Sequence, residues 1–201
     1  MITTIIFDIG NVLADFAWEE HYRSFGFSEE IFERLAKATV KSPMWNEYDR
    51  GVLTDEEIVQ GFIENDPGIE KEIRQVLRDV GPSVKHNDYA IPWIKELQGK
   101  GYRCLYLSNF SKKAHRECAP ALDFIPCMDG GILSYQDKVI KPMPEIYQLL
   151  IDRYQLTPEE CVFMDDTPRN LEGAEKFGIH TIHFQNQAQA IEELKKLGVE
   201  A

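Results

Sequence analysis

The sequence predicts an α/β fold in which a doubly wound parallel sheet carries an inserted block of helices. Three observations indicate this fold: an apolar strand opens the chain and ends at Asp8, an all-helical stretch follows it, and strands then alternate with helices up to residue 197. Such alternation is typical of a parallel sheet with helices on both faces. Ligands of these sheets bind beyond the carboxyl ends of the strands, so the polar residues at those ends are the candidate functional residues.

The first strand is predicted over residues 3–7, which are all β-branched or aromatic. It runs into the turn Asp8-Ile9-Gly10-Asn11. A carboxylate at the end of a buried strand costs free energy unless something pairs with it. We therefore expect Asp8 to be paired with a metal cation or with backbone N–H groups of the turn.

The stretch from about residue 15 to about residue 88 is predicted to be helical throughout, because its apolar residues recur at helical spacing. Ser28 and Thr54 each precede acidic residues and are typical N-caps of the helices that follow them. The five helices predicted in this block cover residues 18–25, 29–38, 43–50, 55–65 and 69–80.

Strands and helices alternate in the remainder of the chain. The predicted helices cover residues 90–98, 111–118, 144–154, 168–177 and 188–197. The predicted strands cover residues 102–107, 161–164 and 179–184, and a further short strand is expected in one of the segments 125–128 and 131–133.

The composition is that of an ordinary globular protein, with 201 residues of which 43% are hydrophobic. A formal net charge of −12 disfavours nucleic acid and anionic membranes as partners. There is no basic and apolar leader at the start and no apolar stretch long enough to span a bilayer. The four cysteines show no Cys-x-x-Cys spacing, which favours buried thiols in a reducing compartment. We expect a cytoplasmic protein that is a monomer or a weak homodimer.

Several polar residues of the core stand where the predicted strands end or a helix begins. They are Asp8, Ser108, Asn109, Lys141, Asp165 and Asp166. In a doubly wound sheet these residues would converge on one edge. Carboxylates combined with backbone carbonyls form an oxygen-only site of the kind that suits Mg²⁺. Such a cation would offset the repulsion between a carboxylate nucleophile and an anionic phosphate.

The chemistry that suits this set of residues is phosphoryl transfer. Asp8 would attack phosphorus and form an aspartyl-phosphate. The Ser108 hydroxyl, Lys141 and the N–H groups near Ile9 and Gly10 would bind the equatorial oxygens, where charge develops in the transition state.

Each of these residues alone also has an ordinary structural explanation. Asp8 and the Ser108 segment could belong to turns, Asp166 could be a helix N-cap, and Lys141 could be a solvated surface lysine. The order and spacing of all the groups together favour the functional interpretation.

The sequence resembles the haloacid dehalogenase superfamily in four motifs that occur in the order of that family. They are Asp8-x-Gly10-Asn11-Val12, Ser108-Asn109, Lys141-Pro142-x-Pro144-Glu145-Ile146-Tyr147, and Phe163-Met164-Asp165-Asp166 followed by Asn170-x-Glu172-Gly173-Ala174. The resemblance implies a Rossmann-like hydrolase core, residues 1–14 and 89–201, and an inserted helical cap, residues 15–88. Within the family, the first motif is most similar to that of sugar-phosphate phosphatases of the α-glucose-1-phosphatase type.

The same resemblance implies roles for individual residues. Asp8 is expected to be the nucleophile and a Mg²⁺ ligand, together with the Gly10 carbonyl and Asp166, while Asp165 is a direct or water-mediated partner. The residues expected to hold the phosphate are Ser108, Asn109 and Lys141. The expected reaction is Mg²⁺-dependent hydrolysis of a small phosphate monoester, such as a sugar 1-phosphate.

Position 10 departs from the pattern of most phosphatases in this family. They carry a second aspartate there, which acts as the general acid for the leaving oxygen and as the base for water, whereas this chain has Gly10. General acid–base help is worth about 10²–10⁴-fold in rate. Either another group supplies the proton, or the substrate has a leaving group that needs little help. We expect the second, and hence anomeric sugar phosphates, acyl phosphates or aryl phosphates as good substrates.

Three other functions stay open at this point. A metal-independent 2-haloacid dehalogenase would use Asp8 to attack carbon, but Asp165 and Asp166 would repel a carboxylate substrate. A phosphosugar mutase would need a proton shuttle, which Gly10 does not provide. A non-catalytic module that binds a phospho-ligand would explain the missing second aspartate, although the clustered charges would then be costly to keep.

The cap is less informative than the core. Arg50 could reach a phosphate or a sugar hydroxyl, but a solvated arginine is the more common role. Cap opening would require hinges, which we expect near residues 14–15 and 87–88. Aromatic residues at helical spacing could stack on a sugar, although packing in the cap core is their more common role. They are Trp18, Tyr22, Trp45 and Tyr48.

Overall fold

The computed structural model of the protein describes residues 1–200 and contains a five-stranded parallel sheet and a two-stranded ribbon. The strands are β1 (Thr4–Phe7), β2 (Ala14–Phe16), β3 (Val84–His86), β4 (Arg103–Ser108), β5 (Gly131–Leu133), β6 (Cys161–Asp165) and β7 (His180–His183). The order in the sheet is β5-β4-β1-β6-β7, with every pairing parallel. This doubly wound order confirms the predicted fold class.

Helices cover both faces of the sheet and fill the insert. In chain order they are α1 (Trp18–Arg23), α2 (Glu29–Ala38), α3 (Met44–Arg50), α4 (Asp55–Asn65), α5 (Glu70–Arg78), α6 (Ala90–Gly99), α7 (Lys112–Glu117), α8 (Ser134–Asp137), α9 (Pro144–Tyr154), α10 (Pro168–Glu175) and α11 (Gln187–Lys196). No helix within residues 1–200 is both long and apolar enough to cross a membrane.

The central strand β1 is apolar because it is covered on both faces. Ile5 and Phe7 lie in one hydrophobic cluster with Trp93 of α6, whereas Ile6 lies in a second cluster with Tyr147 of α9. Successive side chains of a strand point to opposite faces, so a strand between two helical layers needs apolar residues at consecutive positions. The burial of β1 fixes the position of the residue that follows it, Asp8.

Helices α1–α5 have a hydrophobic cluster of their own. Leu35 of α2, Phe62 of α4 and Ile73 of α5 are completely buried in it. The insert therefore has its own apolar core beside that of the sheet.

Both N-caps predicted in the insert are confirmed. The Ser28 side chain accepts a hydrogen bond from the Ile31 N–H at the start of α2. Thr54 and Glu57 form a reciprocal capping box at the start of α4, in which each side chain bonds to the backbone of the other residue.

The prediction that residues 15–88 are helical throughout is wrong at both ends of the stretch. β2 and β3 pair antiparallel, with Asp15 opposite Lys85, and the Asn87 side chain donates to the Asp15 carboxylate at 3.0 Å. The two segments that connect the sheet to the insert hydrogen-bond to each other through their backbones. Helical periodicity cannot reveal this pairing. The predicted domain boundaries after residue 14 and before residue 89, and the hinges near them, fall at this ribbon and stay predictions.

Between β4 and α9, the structure decides which of the two candidate segments is the strand. Residues 131–133 form β5, whereas Ile125–Cys127 forms a 3₁₀ turn. The short helix α8 follows β5 directly and was not predicted, because four residues give no periodic signal.

Replacing Thr54 with alanine is expected to lower the free energy of unfolding by about 1 kcal/mol, because the Glu57 N–H loses its acceptor at the start of α4. Urea denaturation followed by circular dichroism measures this change. Thr54→Ser keeps the hydroxyl and is expected to stay within about 0.5 kcal/mol of the wild type. Equal losses in the two variants would contradict the capping explanation.

Candidate active site

The carboxyl ends of three adjacent parallel strands bring the predicted residues together. Asp8 follows β1, Ser108 is the last residue of β4, and Asp165 is the last residue of β6. β1 lies between the other two strands, so all three residues stand at the same edge of the sheet. Asp8, Ser108 and Asp165 are all buried.

Lys141 lies between two carboxylates at this edge. Its Nζ atom is 2.9 Å from Oδ1 of Asp8 and 2.7 Å from Oδ2 of Asp165. The Lys141 side chain is 1% exposed, so it is not a solvated surface lysine. A buried charge persists when it is paired and hydrogen-bonded. The two carboxylates and the ammonium therefore form one interdependent cluster.

Asn109 holds the backbone that carries Lys141. Its Nδ2 donates to the Lys141 carbonyl at 3.0 Å, and its Oδ1 accepts from the Lys141 N–H at 2.7 Å. Both polar atoms of the Asn109 side chain thus hold the backbone of Lys141, and the second N–H of the amide is free to donate to a ligand. The expected contact of Asn109 with a phosphate stays a prediction.

The cluster shifts the pKa values of its members. Burial raises the pKa of Asp8 to about 7, with Lys141 opposing the rise and Asp165 adding to it. Burial alone would lower the pKa of Lys141, but Asp165 and Asp8 outweigh it and raise that pKa above its ordinary value. Lys141 is therefore charged at neutral pH. For Asp8, the positive charge of Lys141 does not fully offset the effect of burial on the pKa.

Asp165 is held by donors on both of its oxygens. Oδ1 accepts from the Thr167 N–H at 2.8 Å, and Oδ2 accepts from Lys141. Asn170 in the first turn of α10 donates to both oxygens, at 3.1 and 3.0 Å. With its oxygens engaged in this way, Asp165 is suited to support Lys141 and to contact a metal through water. The role of Asn170 was not predicted, although the residue belongs to the fourth motif.

Asp166 is tied to the turn after β1 by Asn11. Asn11 Nδ2 donates to Asp166 Oδ2 at 2.9 Å, and Asn11 Oδ1 accepts from the Phe16 N–H at 3.0 Å. The φ angle of Asn11 is +58°, a region that asparagine adopts more readily than most residues. Asn11 thus links the turn, Asp166 and the ribbon, a role that its place in the first motif could have indicated.

The residues present fit a divalent cation. Carboxylate oxygens of Asp8, Asp165 and Asp166 lie within 4.8 Å of one another. Lys141 neutralises only one of the three charges. Gly10 lines the same cavity, and its carbonyl accepts no hydrogen bond from residues 1–200. An oxygen-only donor set with excess negative charge is the chemistry that Mg²⁺ prefers.

The turn after β1 also presents backbone donors. The Ile9 N–H donates to Asp8 Oδ1 at 2.7 Å, so in this state it orients the carboxylate. Lys141 uses the same oxygen, which leaves Oδ2 available to a ligand. The expected contacts of Ile9, Gly10 and Ser108 with a phosphate stay predictions.

A cavity of about 570 Å³ opens above the cluster, between sheet and insert. The core contributes Asp8, Ser108, Lys141 and Asp166, among others, to its lining. The insert contributes residues from α3, from the segment before it and from its two ends. They are Phe16, Val40, Lys41, Ser42, Pro43, Trp45, Asn46, Tyr48, Asp49, Val80, Ser83 and Val84.

Two of the four aromatic residues considered in the insert line this cavity, Trp45 and Tyr48. Trp18 stacks on Phe32 at 5.8 Å between ring centroids and belongs to the cluster of the insert, as does Tyr22. Arg50 does not line the cavity. Its guanidinium is 3.5 Å from Glu47, so Arg50 pairs with another residue of α3.

A doubly wound core, with an Asp-Lys-Asp cluster at its carboxyl edge and a helical insert above, defines a hydrolase of the haloacid dehalogenase type. The family model described as haloacid dehalogenase-like hydrolase matches residues 2–178. The chain belongs to this family.

Two curated relatives represent different chemistries within it. The chain is 25% identical over 217 residues to D-ribitol-5-phosphate phosphatase of Bacteroides thetaiotaomicron, covering 96% of this chain and 97% of the relative. It is 30% identical over 94 residues to (S)-2-haloacid dehalogenase 4A of Burkholderia cepacia, covering 47% of this chain and 41% of the relative. The first four curated relatives are matched over only 10% to 41% of their own length.

A solved structure supports the fold. The enzyme bt-2542 of Bacteroides thetaiotaomicron, a member of the same family crystallised with magnesium and inorganic phosphate, superposes with a TM-score of 0.69. The sequences are 22% identical, and the match covers 92% of this chain and 95% of the other.

Lys141→Met is expected to lower the free energy of unfolding by about 3–5 kcal/mol, because Asp8 and Asp165 would be left buried without their partner. Guanidinium denaturation at neutral pH measures the loss. Lys112→Met removes an exposed lysine and serves as the matched control, with an expected change within about 0.5 kcal/mol. A loss at Lys141 no larger than that of the control would contradict the pairing argument.

Proposed function

We propose that this chain is a Mg²⁺-dependent phosphatase that hydrolyses a small phosphate monoester, with sugar phosphates such as a sugar 1-phosphate as the substrate class. The observation that carries the proposal is the Asp8-Lys141-Asp165 cluster, with Asp166 beside it, at the floor of the cavity. The family membership and the similarity to a ribitol phosphate phosphatase support it.

Asp8 is the nucleophile of the proposed reaction. One of its carboxylate oxygens attacks phosphorus, the bond from phosphorus to the ester oxygen breaks, and the ester oxygen leaves with the electron pair. Water then attacks the phosphorus of the aspartyl-phosphate. The bond to Asp8 breaks, inorganic phosphate leaves, and the free carboxylate is restored.

Lys141 and Ser108 bind the phosphoryl group. The Lys141 ammonium contacts Asp8 and so orients the attacking carboxylate. Because a phosphate bound to Asp8 would lie beside the same ammonium, Lys141 can also contact a phosphate oxygen. Its position is fixed by Asp165 and Asn109, so little reorganisation accompanies the reaction. A Mg²⁺ ion held by Asp8, the Gly10 carbonyl and Asp166 would neutralise the charge between nucleophile and phosphate.

The cavity has the size and lining of a site for a small phosphorylated molecule. Its volume of about 570 Å³ lies in the range typical of ligand sites. Phe16 and Trp45, with ring centroids 6.0 Å apart, provide an apolar surface for a sugar ring. Ser42, Asn46 and Ser83 also line the cavity and offer partners for sugar hydroxyls.

The similarity to a haloacid dehalogenase supports a second candidate, in which Asp8 attacks carbon without a metal. The three clustered carboxylates argue against it, because a carboxylate substrate would be repelled unless a cation lay between them. Metal dependence separates the two candidates.

Asp8→Asn is expected to lower the rate of phosphate release from a panel of sugar phosphates by about 10⁴-fold or more, because the amide cannot form the aspartyl-phosphate. Phosphate release in the presence of Mg²⁺ is the measurement. Asp152→Asn, at an exposed position on α9, is the matched control and is expected to keep full activity. Wild-type activity in the Asp8 variant would overturn the proposed function.

Removal of divalent cations with EDTA is expected to abolish phosphate release, and added Mg²⁺ is expected to restore it, because the clustered carboxylates repel an anionic substrate without the cation. The same samples can be assayed for chloride release from 2-chloropropionate. Chloride release that resists EDTA would support the dehalogenase and contradict the phosphatase.

A further inference from the structure

The chain has no acid at position 10, although its backbone could carry one. A Cβ atom built on Gly10 would lie 3.9 Å from the Phe16 Cβ, an ordinary contact. Gly10 also lies outside the positive φ region that favours glycine. Neither shape nor backbone conformation requires glycine here. Because glycine has no side chain, a reaction that needs a proton donor must find that donor elsewhere in the cavity.

The carboxyl groups that line the cavity leave one candidate donor. Among those described, the carboxyl groups belong to Asp8, Asp49 and Asp166, and neither histidine nor cysteine lines the cavity. Asp8 and Asp166 belong to the nucleophile and the proposed cation site. Asp49, near the end of α3, is the remaining carboxyl group.

The Asp49 carboxyl group is suited to hold a proton at neutral pH. It is half-buried, and it makes no hydrogen bond or ion pair with any residue in 1–200. Burial raises the pKa of Asp49 to about 8, with the charge of Asp8 adding to the rise and Lys141 opposing it. Asp49 lines the same cavity as Asp8 and Lys141.

The core holds the end of α3 in place. The Ser134 hydroxyl, at the start of α8, donates to the Asp49 carbonyl at 2.6 Å. The Ser134 oxygen in turn accepts from the Phe110 N–H at 2.9 Å, two residues beyond Ser108. The Lys138 ammonium bonds to the Gly51 carbonyl. The backbone of Asp49 is therefore fixed relative to the phosphate-binding end of β4.

The direction of the reaction places the leaving group on the side of the insert. In phosphoryl transfer the attacking and leaving oxygens stand roughly in line with phosphorus. Asp8 attacks from the floor of the cavity, so the leaving oxygen points away from the sheet and toward the residues of the insert.

We propose that Asp49 is the proton donor to the leaving-group oxygen, in place of the aspartate that the chain lacks at position 10. The proposal rests on the phosphatase function proposed above. Without an acid at position 10, either another group supplies the proton or the leaving group needs little help. The proposal selects the first of these two alternatives.

The proposed steps balance in protons and electrons. As the bond from phosphorus to the ester oxygen breaks, the Asp49 carboxyl gives its proton to that oxygen, and an alcohol leaves. The Asp49 carboxylate then takes a proton from water while the water oxygen attacks the aspartyl-phosphate. This step releases phosphate, frees the Asp8 carboxylate and restores the protonated Asp49.

The test compares Asp49→Asn with the wild type on two esters, in the presence of Mg²⁺. The leaving oxygen of glucose 6-phosphate needs a proton, whereas that of 2,4-dinitrophenyl phosphate does not. We expect kcat/KM to fall about 10²–10⁴-fold for the sugar ester and by less than about threefold for the dinitrophenyl ester. For the dinitrophenyl ester we also expect a burst of dinitrophenolate, because the aspartyl-phosphate would be hydrolysed slowly without the base.

Two further variants separate chemistry from binding and folding. Glu47→Gln removes a carboxylate on the same helix. That carboxylate pairs with Arg50 and does not line the cavity, so the substitution is expected to change kcat/KM by less than about twofold. Gly10→Asp, introduced into the Asp49→Asn chain, places a carboxyl group on the core. It is expected to recover at least about tenfold of the lost kcat/KM for glucose 6-phosphate.

The outcomes distinguish this proposal from the one on which it rests. A wild type that releases phosphate through Asp8, with Asp49→Asn equally active on both esters, would overturn the role of Asp49 alone. Equal losses on both esters without rescue by Gly10→Asp would also overturn it, since they indicate a binding or structural role. A wild type that releases phosphate neither from these two esters nor from the panel of sugar phosphates would overturn both proposals.

Discussion

The site depends on one buried ion-pair cluster, in which Lys141 contacts Asp8 and Asp165. Two carboxylates at neighbouring strand ends repel each other strongly in a poorly solvated environment, and an ammonium between them removes most of that cost. The cluster also fixes geometry. The loop that carries Lys141 must meet the ends of β1 and β6. Asn109 holds the Lys141 backbone there with hydrogen bonds, and Asn170 holds the Asp165 carboxylate. The excess negative charge that remains explains why the site suits a cation.

The nucleophile and the substrate-facing wall come from different parts of the chain. Asp8 follows a strand that is buried along its whole length, so its position is determined by packing on both faces of the sheet. The opposite wall comes from α3, which belongs to a separate hydrophobic cluster. The β2–β3 ribbon and the contacts of α8 with the end of α3 join the two parts. The cavity can therefore be remodelled by changes in the insert without disturbing the cluster at the sheet.

The proposed role of Asp49 has a physical basis in this division. A proton donor must stand near the leaving oxygen, and that oxygen lies opposite the nucleophile, where the insert contributes the wall. An acid on the insert acts only when α3 is docked on the core. Proton transfer would then be linked to closure of the cavity, which also excludes bulk water from the reacting phosphate.

The sequence by itself determined the fold class, most helices and strands, and the residues of the central cluster. These follow from local patterns: apolar strands, helical spacing, capping residues, and polar residues placed where strands end. The β2–β3 ribbon and the helix α8 escaped prediction because short segments carry no periodic signal and depend on partners distant in sequence. Tertiary structure alone decided that the Asn109 amide holds Lys141 and that Asp49 faces the cavity. The physical reason is that hydrogen-bond partners and burial arise from contacts between segments far apart in the chain, which no local pattern of residues encodes.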